Sequence, residues 1–172
     1  MTARYGVRVA SVANDWEALS WLRTAAETRL RQMEDSAGEA FTTDLVRGLE
    51  RMARYTEAGL MYLVTSGRFL AACYALSPEG DPAFWEEREL AEEALYLDNA
   101  MVHPACAGHG IGGVITAHAV SEGYERRARF LRLDCQRGNT RLCEHWTSLG
   151  FSWVRDAEVP GRASGTLMEM KL

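Results

Sequence analysis

Gly108, Gly110, Gly112 and Gly113 crowd the end of the stretch His103-Pro-Ala-Cys-Ala-Gly-His-Gly-Ile-Gly-Gly113. Glycine at this density lets a backbone approach a ligand closely. Successive N–H groups ahead of a helix then aim partial positive charge at one point. The chemistry this suits is anion binding, with phosphate or pyrophosphate as the guest. The same residues contain His103, Cys106 and His109 in the order H-x-x-C-x-x-H, which Cys135, Cys143 or His145 could complete as a metal shell. No standard zinc spacing is present, so a metal is not expected.

The loop must join two elements for that chemistry to work. A strand-like run from Leu95 to Val102 precedes it and a helix-like run from Gly112 to Arg126 follows it. Gly108, Gly110 and Gly113 spell G-x-G-x-x-G, and Asp134 lies about 20 residues on, as a dinucleotide fingerprint asks. Two features argue against that reading. His103-Pro-Ala-Cys-Ala separates the strand from the first glycine, and too few strand-like runs follow Asp134 to complete a doubly wound sheet.

The stretch Val102-His-Pro-Ala-Cys-Ala-Gly-His-Gly-Ile-Gly112 instead resembles the loop V-x-P-x-x-R-G-x-G-I-G of the GNAT superfamily of N-acetyltransferases. A second stretch, Asn139-Thr-Arg-Leu-Cys-Glu-His-Trp-Thr-Ser-Leu-Gly-Phe151, resembles the family pattern N-x-x-A-x-x-L-Y-x-x-x-G-F. Asn139, Gly150 and Phe151 match it. Leu142, His145 and Trp146 stand where a small residue, a leucine and a tyrosine are usual.

The resemblance implies an acetyl-CoA-dependent N-acetyltransferase working by direct transfer in a ternary complex, with acetyl-CoA as cosubstrate. Its pyrophosphate would lie on the amides of Ala107, Gly108, His109, Gly110, Ile111, Gly112 and Gly113. Met101 and Val102 would pair with pantetheine and donate to the thioester oxygen, where a fixed N–H favours the tetrahedral intermediate. Asn139 would contact the cofactor. Trp146, at its thiol end, replaces a tyrosine acid by an indole that does not titrate usefully. Ala107 replaces the usual arginine or glutamine at the phosphate loop. These two departures support an alternative, a GNAT-like acyl-CoA-binding or recognition module without robust catalysis.

An amine acceptor must lose a proton before it attacks, so a base is expected. Strand alternation puts Tyr96, Asp98, Ala100 and Val102 on one face. Asp98 is the first candidate base, though burial would have to raise it from its ordinary value of about 3.9. A structural or solvent-facing aspartate is the competing reading. Glu92, Glu93 and Asp134 stand in reserve, and Tyr96 or Tyr74 could serve as the acid. The acceptor is expected to be a small-molecule or peptide amine, and a homodimer is left open.

The 172 residues suit a single domain, and 47% of them are hydrophobic, which argues against disorder. No apolar run approaches membrane-spanning length, and the first residues lack a signal-peptide core, so a cytoplasmic protein is expected. A formal charge of −5 argues against nucleic acid as a partner. Cys73, Cys106, Cys135 and Cys143 show no disulfide framework and read as free thiols.

Periodicity predicts a strand over Val7 to Val12 and a helix capped by Asn14 and Glu17 with Leu19, Leu22, Ala26, Leu30 and Met33 inward. After a turn at Asp35 to Gly38, a second helix starts from Thr43 or Asp44 and closes at Gly59. A hairpin follows, Met61 to Thr65 and Arg68 to Leu76. The acidic stretch Ala83 to Ala94 reads as a short helix or ordered loop whose carboxylates face solvent or attract a cationic amine. Strands over Phe130 to Cys135, Phe151 to Val154 and Thr166 to Met170, with a helix over Thr140 to Leu149, complete the chain. That order matches the GNAT fold: an α/β (α+β) class with a mixed, mostly antiparallel seven-stranded sheet flanked by about four helices.

Overall fold

A computed structural model describes residues 5–37, 45–162 and 164–172, and of residues 30–37 the backbone alone. Seven strands form one sheet: β1 (Gly6–Val9), β2 (Met61–Ser66), β3 (Phe69–Ser77), β4 (Ala94–Val102), β5 (Phe130–Gln136), β6 (Ser152–Asp156) and β7 (Ser164–Lys171), in the order β1-β2-β3-β4-β5-β7-β6. The pairs β1–β2, β2–β3, β5–β7 and β6–β7 are antiparallel, and β4–β5 is parallel. Five helices accompany them: α1 (Val12–Ala37), α2 (Leu45–Glu57), α3 (Glu87–Leu90), α4 (Ile111–Glu125) and α5 (Thr140–Ser148). The fold class is therefore the expected mixed α/β sheet, with five helices where about four were expected.

The chain divides into two compact units, one of residues 1–75 with 99–114, the other of residues 76–98 with 115–172. In the first unit Leu19 and Leu22 of α1, Met52 of α2, Met61 and Leu63 of β2, Cys73 of β3 and Met101 of β4 share a buried cluster. Helix α1 starts earlier than the Asn14–Glu17 pattern suggests. The Asp15 carboxylate, not Glu17, reaches back to accept the Ser11 N–H at 2.8 Å, and Arg8 of β1 holds it with contacts of 2.8 and 2.6 Å. That start shortens β1, and the helix runs on through Ala37, into the expected turn. The expected cap at Thr43 or Asp44, and the inward placement of Leu30 and Met33, lie outside the described residues. Helix α2 ends as expected, with Gly59 at φ 70° and the Leu60 N–H donating to Tyr55 O at 2.8 Å.

In the second unit Phe84, Trp85, Ala94, Tyr96 and Leu167 form the core cluster. Arg132 of β5 is buried at 1% exposure among them. Its Nε donates to Glu169 at 2.7 Å, its Nη1 to Glu89 O at 2.6 Å and to the Tyr96 hydroxyl at 3.2 Å, and its Nη2 to Glu92. The guanidinium carbon lies 4.7 Å from the Phe130 ring and 5.0 Å from Trp85. A buried charge is tolerable only when its donors are met in this way. The acidic stretch thus has a third use beyond the two expected: Glu89 and Glu92 point inward to arginines. Among the described residues no helix is long and apolar enough to cross a membrane.

Candidate active site

The turn Pro104–Cys106 after β4 is a single 3-10 turn, and Gly108 and Gly110 follow at φ 79° and 75°. Only glycine adopts such angles freely. A Cβ at Gly108, Gly110 or Gly113 would meet nothing within 4 Å, so the space beside the loop backbone at these positions is open. The amides of Ala107, His109 and Gly113 already donate to Pro104, Cys106 and Gly110 carbonyls at 3.3, 3.2 and 3.0 Å. Those of Gly108, Gly110, Ile111 and Gly112 have no backbone acceptor among the described residues. Together with the start of α4 they make a compact donor set for an oxyanion.

The entry to this loop is braced. The His103 ring stacks on Trp21 of α1 with centroids 4.9 Å apart and meets Phe69 of β3 edge-on at 4.7 Å. The ring Nδ1 accepts the Ala105 N–H at 3.1 Å, and the His103 backbone N–H donates to Ala71 O at 2.8 Å. His103, Cys106 and His109 do not gather as metal ligands; among the described residues no cluster of three such side chains forms.

The β4–β5 ladder runs from Ala94↔Phe130 to Leu97↔Leu133, with no pair beyond it among the described residues. From there Asp134, Cys135 and Gln136 pair with β7 alone. Just past the last pair, Asn99 adopts φ 51°, a left-handed conformation rare outside glycine. The expected alternation from Asp98 to Val102 requires extended backbone throughout and is broken at Asn99. Asp98 is half-buried and Met101 is 8% exposed, packed in the first unit's core. Tyr96 is 7% exposed, accepts a hydrogen bond from Arg132 and meets Trp85 edge-on at 5.7 Å. Of the reserve carboxylates, Glu92 binds Arg132, Asp134 accepts from the Ser164 hydroxyl, and Glu93 is exposed.

Helix α5 is capped by Asn139, whose Oδ1 accepts the Leu142 N–H at 3.0 Å and whose Nδ2 donates to Gln136 at 3.2 Å. Trp146 is 7% exposed and packs edge-on against Phe151 at 5.4 Å.

Sequence reasoning did not single out Arg23, Glu27 and Asn99. Arg23 of α1 donates to Asn99 Oδ1 at 3.3 Å and to Glu27, which is 3% exposed. The Arg23 Nε and Glu27 Oε2 atoms are buried without hydrogen-bond partners. Gly48 of α2 admits this arginine, since a Cβ there would lie 2.4 Å from Arg23 Nη2. The available signal was the i,i+4 spacing of Arg23 and Glu27, which on most helices marks a solvated pair.

A model of the acetyltransferase (GNAT) family matches residues 16–151. Among solved structures, a GNAT-family acetyltransferase of Listeria monocytogenes superposes with a TM-score of 0.75 at 22% identity, covering 98% of this chain and 95% of that one. One from Streptococcus agalactiae gives 0.76 at 13% identity, with 98% and 95% covered. The yncA protein of Salmonella typhimurium, solved with its cofactor acetyl-CoA, gives 0.62 at 16% identity, with 98% and 94% covered. Among curated proteins none matches the sequence.

Proposed function

Since the chain belongs to the acetyltransferase (GNAT) family, we propose that it is an acetyl-CoA-dependent N-acetyltransferase that moves the acetyl group directly to an amine acceptor, a small molecule or a peptide. One observation carries the cofactor reading: the amides of Gly108, Gly110, Ile111 and Gly112 have no backbone acceptor among the described residues where α4 begins, with open space beside Gly108, Gly110 and Gly113. A pyrophosphate accepts from several such donors at once and gains from the helix end.

The backbone of β4 past Leu97 is proposed to hold the pantetheine, with Met101 or Val102 donating to the thioester oxygen as it gains charge. An acceptor amine attacks only after losing a proton. Asp98, half-buried at the end of the β4–β5 ladder, is proposed to take it, directly or through water. Trp146 holds the thiol end by packing and moves no proton. The CoA thiolate, with a conjugate acid near the usual thiol value of about 8.5, leaves without an acid of its own.

Thermal unfolding tests the cofactor step. Acetyl-CoA should raise the melting temperature, while NAD and ATP should not. CoA release on mixing acetyl-CoA with a panel of amines then tests transfer. Stabilisation without release for every amine would favour a module that binds acyl-CoA. Stabilisation by NAD alone would remove the proposal.

A further inference from the structure

The Sγ atoms of Cys135 and Cys143 lie 3.8 Å apart, one on β5 and the other on α5. Two sulfurs in van der Waals contact need only a further approach of roughly 1.8 Å to reach the disulfide length. The two thiols differ in access: Cys135 is 6% exposed, and Cys143 is half-buried. Burial, and then the adjacent Cys143 thiol, push the Cys135 thiol above its ordinary range. Cys73, by contrast, is fully buried and pushed up to about 12 by that burial, which leaves it almost no thiolate. The pair flanks a short connection, and α5 is fastened to that connection at Asn139, where the Cys143 N–H donates to Asn139 O at 3.1 Å.

We propose that Cys135 and Cys143 form an oxidisable dithiol, a modification site at which a hydroperoxide closes a disulfide that ties α5 to β5. The hydroperoxide reaches the more exposed Cys143 first: its sulfur takes the terminal peroxide oxygen to give a sulfenic acid, and the O–O bond breaks to release an alcohol, or water from hydrogen peroxide. The Cys135 thiol, losing its proton, then attacks the Cys143 sulfur. The S–S bond forms, the S–O bond breaks, and the hydroxyl leaves as water with that proton. Two thiols supply two electrons and the hydroperoxide accepts them. Cys135 attacks as the thiolate, so closure quickens as pH rises. The disulfide bridges neighbours close in sequence across a strand-to-helix connection, and ordinary dithiols reopen it.

The site does not depend on the acetyl-CoA reading, and its test is independent of activity. The whole chain is treated with hydrogen peroxide, remaining thiols are alkylated under denaturing conditions, and intact mass and peptide maps are read. Two of the four free cysteines should escape alkylation. The protein before alkylation should lose the mass of two hydrogens, a Cys135–Cys143 cross-linked peptide should appear, and dithiothreitol should reverse all three. Cys143→Ser should abolish the loss of two hydrogens. Cys135→Ser should stop the reaction at an oxygen adduct on Cys143. Oxygen adducts on the wild type without loss of hydrogen, or cross-links only between chains, would overturn the proposal. So would a loss of two hydrogens that persists in either variant.

Discussion

Gly110 stands at φ 75° with open space where a side chain would begin. Valine there would be strained by about 1–3 kcal/mol and would put methyl groups over the neighbouring amides. Gly110→Val should therefore abolish the acetyl-CoA-dependent rise in melting temperature while lowering the ligand-free value only modestly, as a thermal-shift titration would register. Trp146 poses a different question, because an indole offers no proton at working pH. Trp146→Phe should alter turnover through packing against Phe151 and leave the pH profile in place; an altered alkaline limb would contradict the role given to it. Asp98→Asn should reduce kcat by about 10²–10⁴ with acetyl-CoA affinity kept, if this carboxylate takes the acceptor's proton. Equal kcat values across pH for both proteins would sink that assignment. The glycine loop was legible because its residue types are nearly forced by backbone geometry at Gly108 and Gly110, whereas the capping of α5 by Asn139, expected only as a cofactor contact, was not read from the sequence. Asn99 was not legible: a left-handed residue inside an apolar strand follows from where the β4–β5 ladder ends, and no local pattern announces it.

Elements here are held by charges that a sequence cannot pair in advance. Arg155 of β6 grips Glu89 of α3 with two contacts of 2.7 Å, and Glu89 also accepts the Glu86 N–H at 2.8 Å. The Arg155 hydrogen bonds are the main cause that holds the Glu89 carboxyl at about 2, below its ordinary value. A carboxyl depressed on folding contributes stability above its unfolded value of about 4.3, and that stability is lost as pH falls towards 2. Glu89→Gln should cost about 1.5–3 kcal/mol at pH 7 and lessen the fall in stability between pH 5 and 2, as urea melts at several pH values would record. The Arg23–Glu27 pair makes a sharper case. Removing one partner strands the other in a site closed to water, so Arg23→Met should cost about 3–5 kcal/mol, and Arg23→Met with Glu27→Met should recover much of it. A double-mutant cycle by chemical denaturation measures the difference. The spacing of these four charges was visible. Their burial was not, because for Arg23 and Glu27 it depends on Asn99 and Gly48, and for Glu89 on Arg155 in a distant strand.

At the scale of the whole chain, the order of strands and helices was legible, since each alternation or apolar stripe is a local property. The boundaries moved where tertiary contacts intervened, as when Arg8 and Asp15 began α1 early. The seven-stranded sheet is open, and its outer strands are β1 and β6. Each is built to discourage a foreign strand from adding to it. Strand β1 has only four residues, and its Arg8 is turned to a helix carboxylate. Strand β6 is five residues long, is bulged between Trp153 and Arg155, and ends on Asp156, which accepts from the Thr166 hydroxyl at 2.8 Å. Short, irregular, charged borders resist the strand-on-strand stacking that seeds amyloid. Trp153, 62% exposed, is the bulky apolar residue that β6 leaves in the open, while its neighbour Val154 is half-buried. Straightening the bulge or replacing the exposed Ser152 by an apolar residue should convert this rim into a nucleus for fibrils, detectable by thioflavin fluorescence before any loss of the folded state.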